Sequence, residues 1–197
     1  MRKAGNAPTA PIHRVISVSW DQATAFDRFT MDFAKWWPRY SLSIGGSRVK
    51  NVVFECRAGG EIYEEHHDGT RFRWGTITEL DRPRRVSFNW HSSRDESDAQ
   101  QVEVSFMREG SGTRVELVSR GWEKMGEAAS RAHGGYQLSW NAALHTYAAR
   151  FSATRLFFVV VAAAIDGMGQ RKTFVRESRG RMPVTPTKDL VIGGHRG

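Results

Sequence analysis

Three carboxylates lie close together in one segment of the chain. Along a predicted strand, alternation places Glu61 and Glu65 on one face and Glu64 on the other, beside Ile62. A carboxylate directed into a cavity could orient a polar ligand group or act as a general acid or base. The favoured alternative is that all three solvate an outer face and pair with neighbouring arginines.

Metal-binding and nucleophilic chemistry find little support in the sequence. His66, His67 and Asp68 are consecutive, and adjacent side chains on a strand point to opposite faces, so they do not readily share an ion. Cys56 lies in a predicted strand and has the character of a small core residue. No serine stands in a nucleophile-elbow sequence. We therefore predict no metal, no cofactor and no catalytic residue.

Aromatic rings are the most informative feature of the chain. All seven tryptophans lie in the first 150 residues. An indole fills a large volume and keeps an N–H that needs a partner, so the rings either pack as an aromatic core or line a cavity. Periodicity alone favours the packed core. Nine rings are the candidates to line a ligand-binding cavity: Trp37, Phe54, Tyr63, Trp74, Phe88, Trp90, Trp122, Tyr136 and Trp140.

Apolar residues near the start of the chain recur at helical spacing. Phe26, Phe29 and Phe33 form one stripe. Asp21 is placed to cap this helical region, and Pro38 ends it.

A second, longer helix is predicted before residue 151. Tyr136, Trp140, Leu144 and Tyr147 fall on one face of one helix. The glycine pair 134–135 marks either its start or a kink.

Between the helices, short apolar segments alternate with polar residues. Predicted strands cover residues 13–19, 52–57, 61–67, 71–80, 86–90, 102–106 and 114–117. Trp74 and Ile77 are three apart, which breaks the alternation, and Gly75 between them indicates a bulge. The pattern predicts an antiparallel sheet with one apolar face. The fold class is α+β, with the curved sheet wrapped around the final long helix.

Composition divides the chain into three parts. We expect residues 1–11 to be a flexible leader, residues 12–151 the folded domain, and residues 152–197 a basic, partly disordered extension. The net charge is +8, of which residues 152–197 carry eight Lys or Arg against three Asp or Glu. The domain itself shows no basic stripe, so nucleic acid is not an expected partner.

Compartment and membrane association are also constrained by the sequence. A single cysteine excludes an internal disulfide, and the reducing cytoplasm is the expected location. Residues 156–165 form an apolar run of ten, but a membrane-spanning helix needs roughly 20 residues. We therefore predict no membrane span.

A series of different short motifs occurs in a specific order between residues 12 and 150. They are Ala25-Phe26, Trp36-Trp37-Pro38, Gly59 to Glu64, Trp74-Gly75, Pro83, Phe88 to Trp90, Thr113 to Leu117, Arg120 to Trp122 and Gly135 to Trp140. Together they resemble the SRPBCC superfamily, also called START-like, and more closely its bacterial branch of homologues of the activator of the ninety-kDa heat-shock-protein ATPase. The extension after Phe151 has no counterpart in that pattern.

The resemblance implies a helix-grip fold with a deep cavity between sheet and C-terminal helix that accepts an apolar ligand. Relatives in the superfamily include lipid carriers, polyketide cyclases and toxin-sequestering resistance proteins, so the fold does not select a function. We predict non-catalytic binding of a small hydrophobic or aromatic molecule. The alternatives are a co-chaperone-like regulator with a chaperone partner and, less favoured, a cofactor-free cyclase that uses a cavity carboxylate.

Overall fold

A computed structural model describes residues 10–92 and 95–151, with the backbone alone for Glu127. Most of the predicted leader, and the whole predicted extension with its apolar run at 156–165, lie outside the described residues. The strands are β1 Ile12–Val18, β2 Val49–Phe54, β3 Glu61–His66, β4 Arg71–Asp81, β5 Arg85–Trp90, β6 Gln100–Glu109 and β7 Gly112–Arg120. The helices are α1 Gln22–Thr30, α2 Phe33–Trp36, α3 Arg39–Leu42 and α4 Ala129–Arg150, with 3-10 turns at Gly46–Arg48, Glu96–Asp98 and Trp122–Ala128.

The seven strands form one curved antiparallel sheet in the order β1-β7-β6-β5-β4-β3-β2. The first strand of the chain therefore pairs with the last, and the other strands follow one another as hairpins. The helices cover the apolar face, where the buried side chains of sheet and helices form one hydrophobic core. The predicted α+β helix-grip architecture is confirmed.

Strict alternation sets the register of the central strands. Val104 pairs with Leu117 and Phe106 with Val115, and all four side chains are buried. Because side chains alternate along a strand, the intervening polar residues face outward. Burying one apolar face in this way fixes the register, since a slip of one residue would expose the whole set.

The predicted bulge at Gly75 is confirmed. Pairing between β3 and β4 shifts register after Ile62, which leaves Trp74 as the extra residue on β4. Trp74 and Ile77 are consequently both buried, although they are three apart. A Cβ on Gly75 would lie 1.8 Å from the carbonyl oxygen of Asn89, so only glycine permits this approach of the strands.

The first helical region is capped as the sequence predicts but is divided in two. Asp21 Oδ1 accepts a hydrogen bond of 2.9 Å from the Thr24 amide. The hydrogen bonds from Thr24 lower the pKa of Asp21 below its usual value. Phe26 and Phe29 are buried on α1, whereas Phe33 begins the separate one-turn helix α2.

Helix α4 carries the predicted apolar face on its second half. Trp140, Leu144 and Tyr147 are buried, and Tyr136 is half-buried. The helix begins at Ala129, so the glycine pair 134–135 lies inside it and the predicted start at these glycines is wrong. No helix within the described ranges is long and apolar enough to cross a bilayer.

Candidate ligand-binding site

Six of the nine predicted cavity rings form one network of ring contacts, which we name the inner cluster. Its members are Trp37, Phe54, Trp74, Phe88, Trp90 and Trp140. They come from the segment after α2 and from β2, β4, β5 and α4. The fold therefore gathers rings from widely separated parts of the chain between the sheet and the final helix.

Trp90 is the centre of the inner cluster. Its ring centroid lies 5.6 Å from that of Trp37, 5.4 Å from Trp74 and 5.2 Å from Trp140. The interplanar angles in these pairs are 53–58°, so the rings are tilted rather than stacked face to face. Tilted arrangements of this kind are favourable for aromatic quadrupoles.

The other three predicted rings lie elsewhere. Trp122 and Tyr136 contact each other at 5.1 Å beside the start of α4. Tyr63 lies on the opposite face of β3 from Ile62, and the Arg71 guanidinium stands 5.0 Å from its ring centroid. The structure thus does not bring these three rings to the inner cluster.

Three buried indole N–H groups have protein acceptors. Trp36 Nε1 donates to the Phe29 carbonyl at 3.1 Å, and Trp122 Nε1 donates to the Ser119 carbonyl at 3.1 Å. Trp37 Nε1 donates to Ser43 Oγ at 3.3 Å.

Three other indoles, all in the inner cluster, are not satisfied in this way. Across the described residues, Nε1 of Trp74, Trp90 and Trp140 is buried without a hydrogen-bond partner. An unmet buried donor costs about 1–3 kcal/mol. The sequence identified these rings, but which N–H groups lack an acceptor depends on tertiary geometry and has no sequence signal.

The inner cluster is closed in this structure. None of its rings is more than 8% exposed. A surface hollow of about 190 Å³ lies elsewhere, between the start of α1 at Asp21 and the β6–β7 turn at Gly110.

The three candidate carboxylates have different environments. Glu61 lies 3.4 Å from an Arg73 nitrogen, and Glu65 lies 3.7 Å from the Lys50 ammonium, as expected for surface residues. Glu64, in contrast, is fully buried. The expectation that all three solvate an outer face is wrong for Glu64, because its tertiary contacts supply hydrogen-bond donors.

Protein donors occupy both oxygens of Glu64. The amides of Ile44 and Gly45 donate to it at 2.8 Å each, and His66 Nε2 lies 2.6 Å from Oε1. A carboxylate so engaged has little capacity left to bind a ligand or move a proton.

The adjacent histidines point apart, as strand geometry predicts. His66 is buried against Glu64, whereas His67 is exposed. Within residues 10–92 and 95–151, no three His, Cys, Asp or Glu side chains come together as metal ligands.

Several known structures share this architecture. An anthrahydroquino-γ-pyrone synthase, Txn09 complexed with SUM, is 30% identical, with 73% of this chain and 98% of that chain covered and a TM-score of 0.53. Protein MLL2253 from Mesorhizobium loti is 13% identical, with 75% and 100% covered and a TM-score of 0.55. The Aha1 dimer from Colwellia psychrerythraea is 15% identical, with 71% and 94% covered and a TM-score of 0.52. The last two show similarity of fold alone.

No curated protein matches the sequence. The model of the family described as Activator of Hsp90 ATPase homolog 1-like protein matches residues 22–149. That range runs from the first residue of α1 almost to the end of α4 and includes every ring of the inner cluster. The chain therefore belongs to the family of Activator of Hsp90 ATPase homolog 1-like proteins, a branch of the SRPBCC superfamily.

Proposed function

We propose that the chain binds a planar aromatic molecule bearing oxygen acceptors within the inner cluster. The observation that carries the proposal is the set of three buried, unpaired indole N–H groups on Trp74, Trp90 and Trp140. Carbonyl or hydroxyl oxygens of a ligand would accept from them and remove their desolvation penalty. A purely aliphatic ligand offers no such acceptor.

The surroundings of these N–H groups suit an aromatic ligand. Tilted rings can rearrange to stack on a planar molecule, and ring pairs contribute about 0.5–1.5 kcal/mol beyond the area that they bury. A site of rings with a few polar groups is the usual composition of a small-molecule pocket.

The similarity to Txn09 supports the same ligand class. That protein is an anthrahydroquino-γ-pyrone synthase, and its name describes an oxygenated polycyclic aromatic. At 30% identity over 73% of this chain, a shared ligand class is a reasonable proposal.

Two probes that share a three-ring carbon skeleton but differ in oxygen substituents test the proposal. The probes are 1,8-dihydroxyanthraquinone and anthracene, titrated against tryptophan fluorescence of the full chain. Two hydrogen bonds of about 0.7 kcal/mol each would give the oxygenated probe about tenfold tighter binding. Equal affinity for both probes, or no saturable quenching by either, would count against the proposal.

Conservative ring variants locate the site. Trp90→Phe keeps an aromatic ring and removes one unpaired N–H, and we expect about threefold to tenfold weaker binding of 1,8-dihydroxyanthraquinone. Binding of anthracene should change much less. The matched control is Trp122→Phe, which removes an indole N–H already bonded to Ser119 and should leave both affinities close to wild type.

A catalytic role is the second candidate, favoured by the 30% sequence identity to a protein named as a synthase. Against acid–base catalysis at Glu64 stands the engagement of both its oxygens by protein donors. Incubation of the chain with an anthrahydroquinone, followed by mass spectrometry, separates the two roles. A new product formed in proportion to the protein would place catalysis first, and the expectation of a non-catalytic binder would then be abandoned.

A further inference from the structure

Glu64 is a buried carboxylate that the proposed ligand site does not use directly. It sits on β3 and is fully buried. The amides of Ile44 and Gly45 donate to it, and His66 Nε2 lies 2.6 Å from its Oε1. Burying a carboxylate is unfavourable unless it is hydrogen-bonded in this way, which points to a specific role for this arrangement.

The segment held by Glu64 leads directly to the inner cluster. Residues 43–45 follow α3. Ser43 Oγ accepts the indole N–H of Trp37 at 3.3 Å, and the next two amides donate to Glu64. One short segment therefore connects the carboxylate to a ring that contacts Trp74, Trp90 and Trp140.

The close approach of this segment to β3 requires glycine. A Cβ on Gly45 would lie 2.2 Å from His66 Nε2. The His66 ring is in turn 4.7 Å from the Phe72 ring on β4, which limits its movement. Gly45 therefore packs directly against Glu64 and His66, with no room for a side chain at position 45.

We propose that Glu64 is a positioning residue that fixes residues 43–45, so that Ser43 holds the Trp37 indole in the inner cluster. Its relevance to ligand binding rests on the proposed function, whereas its effect on Trp37 does not. The two are therefore tested separately.

The first experiment needs no ligand. Indole ¹H–¹⁵N NMR of the full chain is compared for wild type, Glu64→Gln and Glu65→Gln. Glutamine keeps one acceptor oxygen but directs an NH₂ group at a donor, so the segment should loosen. We expect the Trp37 N–H signal to shift and its hydrogen exchange to rise about tenfold, with the Trp122 signal unchanged.

The matched control is Glu65→Gln, since Glu65 faces Lys50 at the surface. It should leave every indole signal in place. An unchanged Trp37 signal in Glu64→Gln, or an equal change at Trp37 and Trp122, would overturn the proposal.

If Glu64→Gln does not fold, Ser43→Ala provides the test. It removes the acceptor of Trp37 and leaves the Glu64 contacts intact. The proposal expects faster exchange at the Trp37 N–H without a matching change at Trp36, whose acceptor is the Phe29 carbonyl. Equal protection of the Trp37 N–H with and without Ser43 Oγ would reject the connection.

The second experiment uses a double-mutant cycle with 1,8-dihydroxyanthraquinone. If Glu64 acts through Trp37, Glu64→Gln weakens binding in the wild-type background and has little further effect beside Trp37→Phe. Additive losses would show that Glu64 acts by another route and would overturn the proposal. If the wild type does not bind the probe, the proposed function fails, and the NMR result alone decides the positioning role.

Discussion

Two aromatic regions of the same core differ in whether their buried polar atoms have hydrogen-bond partners. In the first, which we name the helical cluster, Phe29, Trp36 and Tyr147 contact one another at 5.0–5.5 Å. Its polar atoms are paired: Trp36 Nε1 donates to the Phe29 carbonyl, and the Tyr147 hydroxyl donates to the Ala25 carbonyl at 2.7 Å. In the inner cluster, ring distances are similar, but three indole N–H groups have no acceptor among the described residues.

This difference separates a structural core from a candidate site. Ring packing is alike in the two regions, so packing alone does not distinguish them. A folded chain pairs most of its buried donors. Among the described residues, the buried atoms without a partner include Arg28 Nη1, Arg85 Nε and Ser119 Oγ at separate places, and three indole nitrogens that belong to one cluster, in which the Trp90 ring contacts both Trp74 and Trp140. Such grouping is expected where a ligand, rather than the protein, supplies the acceptors.

The sharpest test compares Trp36→Phe with Trp90→Phe. Both substitutions remove one indole and leave a similar cavity, but only the first breaks a hydrogen bond. Trp90→Phe also removes an unmet donor, so we expect it to be less destabilising by about 2 kcal/mol. Urea unfolding of the ligand-free chain measures both free energies. Equal losses would remove the energetic distinction between the clusters.

A smaller effect is expected at the Tyr147 hydroxyl. Tyr147→Phe removes the bond to the Ala25 carbonyl, and we expect a loss of about 1 kcal/mol at neutral pH. Ligand-free thermal unfolding provides the measurement. No loss would mean that pairing of polar atoms does not stabilise the helical cluster.

Because the Tyr147 hydroxyl is buried, we also expect the stability of the folded chain to fall at alkaline pH. Burial raises the pKa of Tyr147 above its usual value. Its contribution to stability is therefore complete below a pH of about 10, where the unfolded phenol begins to ionise. Above that pH the contribution falls, because ionisation favours the unfolded chain. The decline in melting temperature between pH 9 and 11 should be shallower in Tyr147→Phe than in wild type.

The sheet was largely predictable, because one buried face imposes a period of two on the sequence. Even the bulge at Gly75 had a local signal, namely Trp74 and Ile77 at a spacing of three. The burial of Glu64 had only one local signal, its place on the same face of the strand as Ile62, and that signal did not supply the hydrogen-bond donors that a buried carboxylate needs. This burial depends on amides at Ile44 and Gly45, about twenty residues away in sequence.

Contact among the rings could be predicted in part for a similar reason. Of the nine rings expected to line a cavity, six contact one another in the inner cluster, and their role in binding a ligand stays a prediction. Tyr63 lies on the opposite face of β3 from Ile62, because side chains alternate along the strand. Of the two roles predicted for the glycine pair 134–135, the start of α4 is wrong, because glycine inside a helix costs only about 1 kcal/mol and does not by itself end the helix.

The smallest expected effect concerns the two halves of α4. Its second half buries Trp140, Leu144 and Tyr147, whereas the first half is mostly exposed or half-buried. A Cβ on Gly134 would meet nothing within 4 Å. Gly134→Ala should therefore stabilise the chain by about 0.5–1 kcal/mol, through helix propensity alone.

The matched glycine control is Gly75→Ala, where the added Cβ would lie 1.8 Å from the Asn89 carbonyl. It should destabilise, since two strands would have to separate. Urea unfolding distinguishes the opposite signs. If Gly134→Ala also destabilises, the first half of α4 is packed more tightly than its exposure indicates.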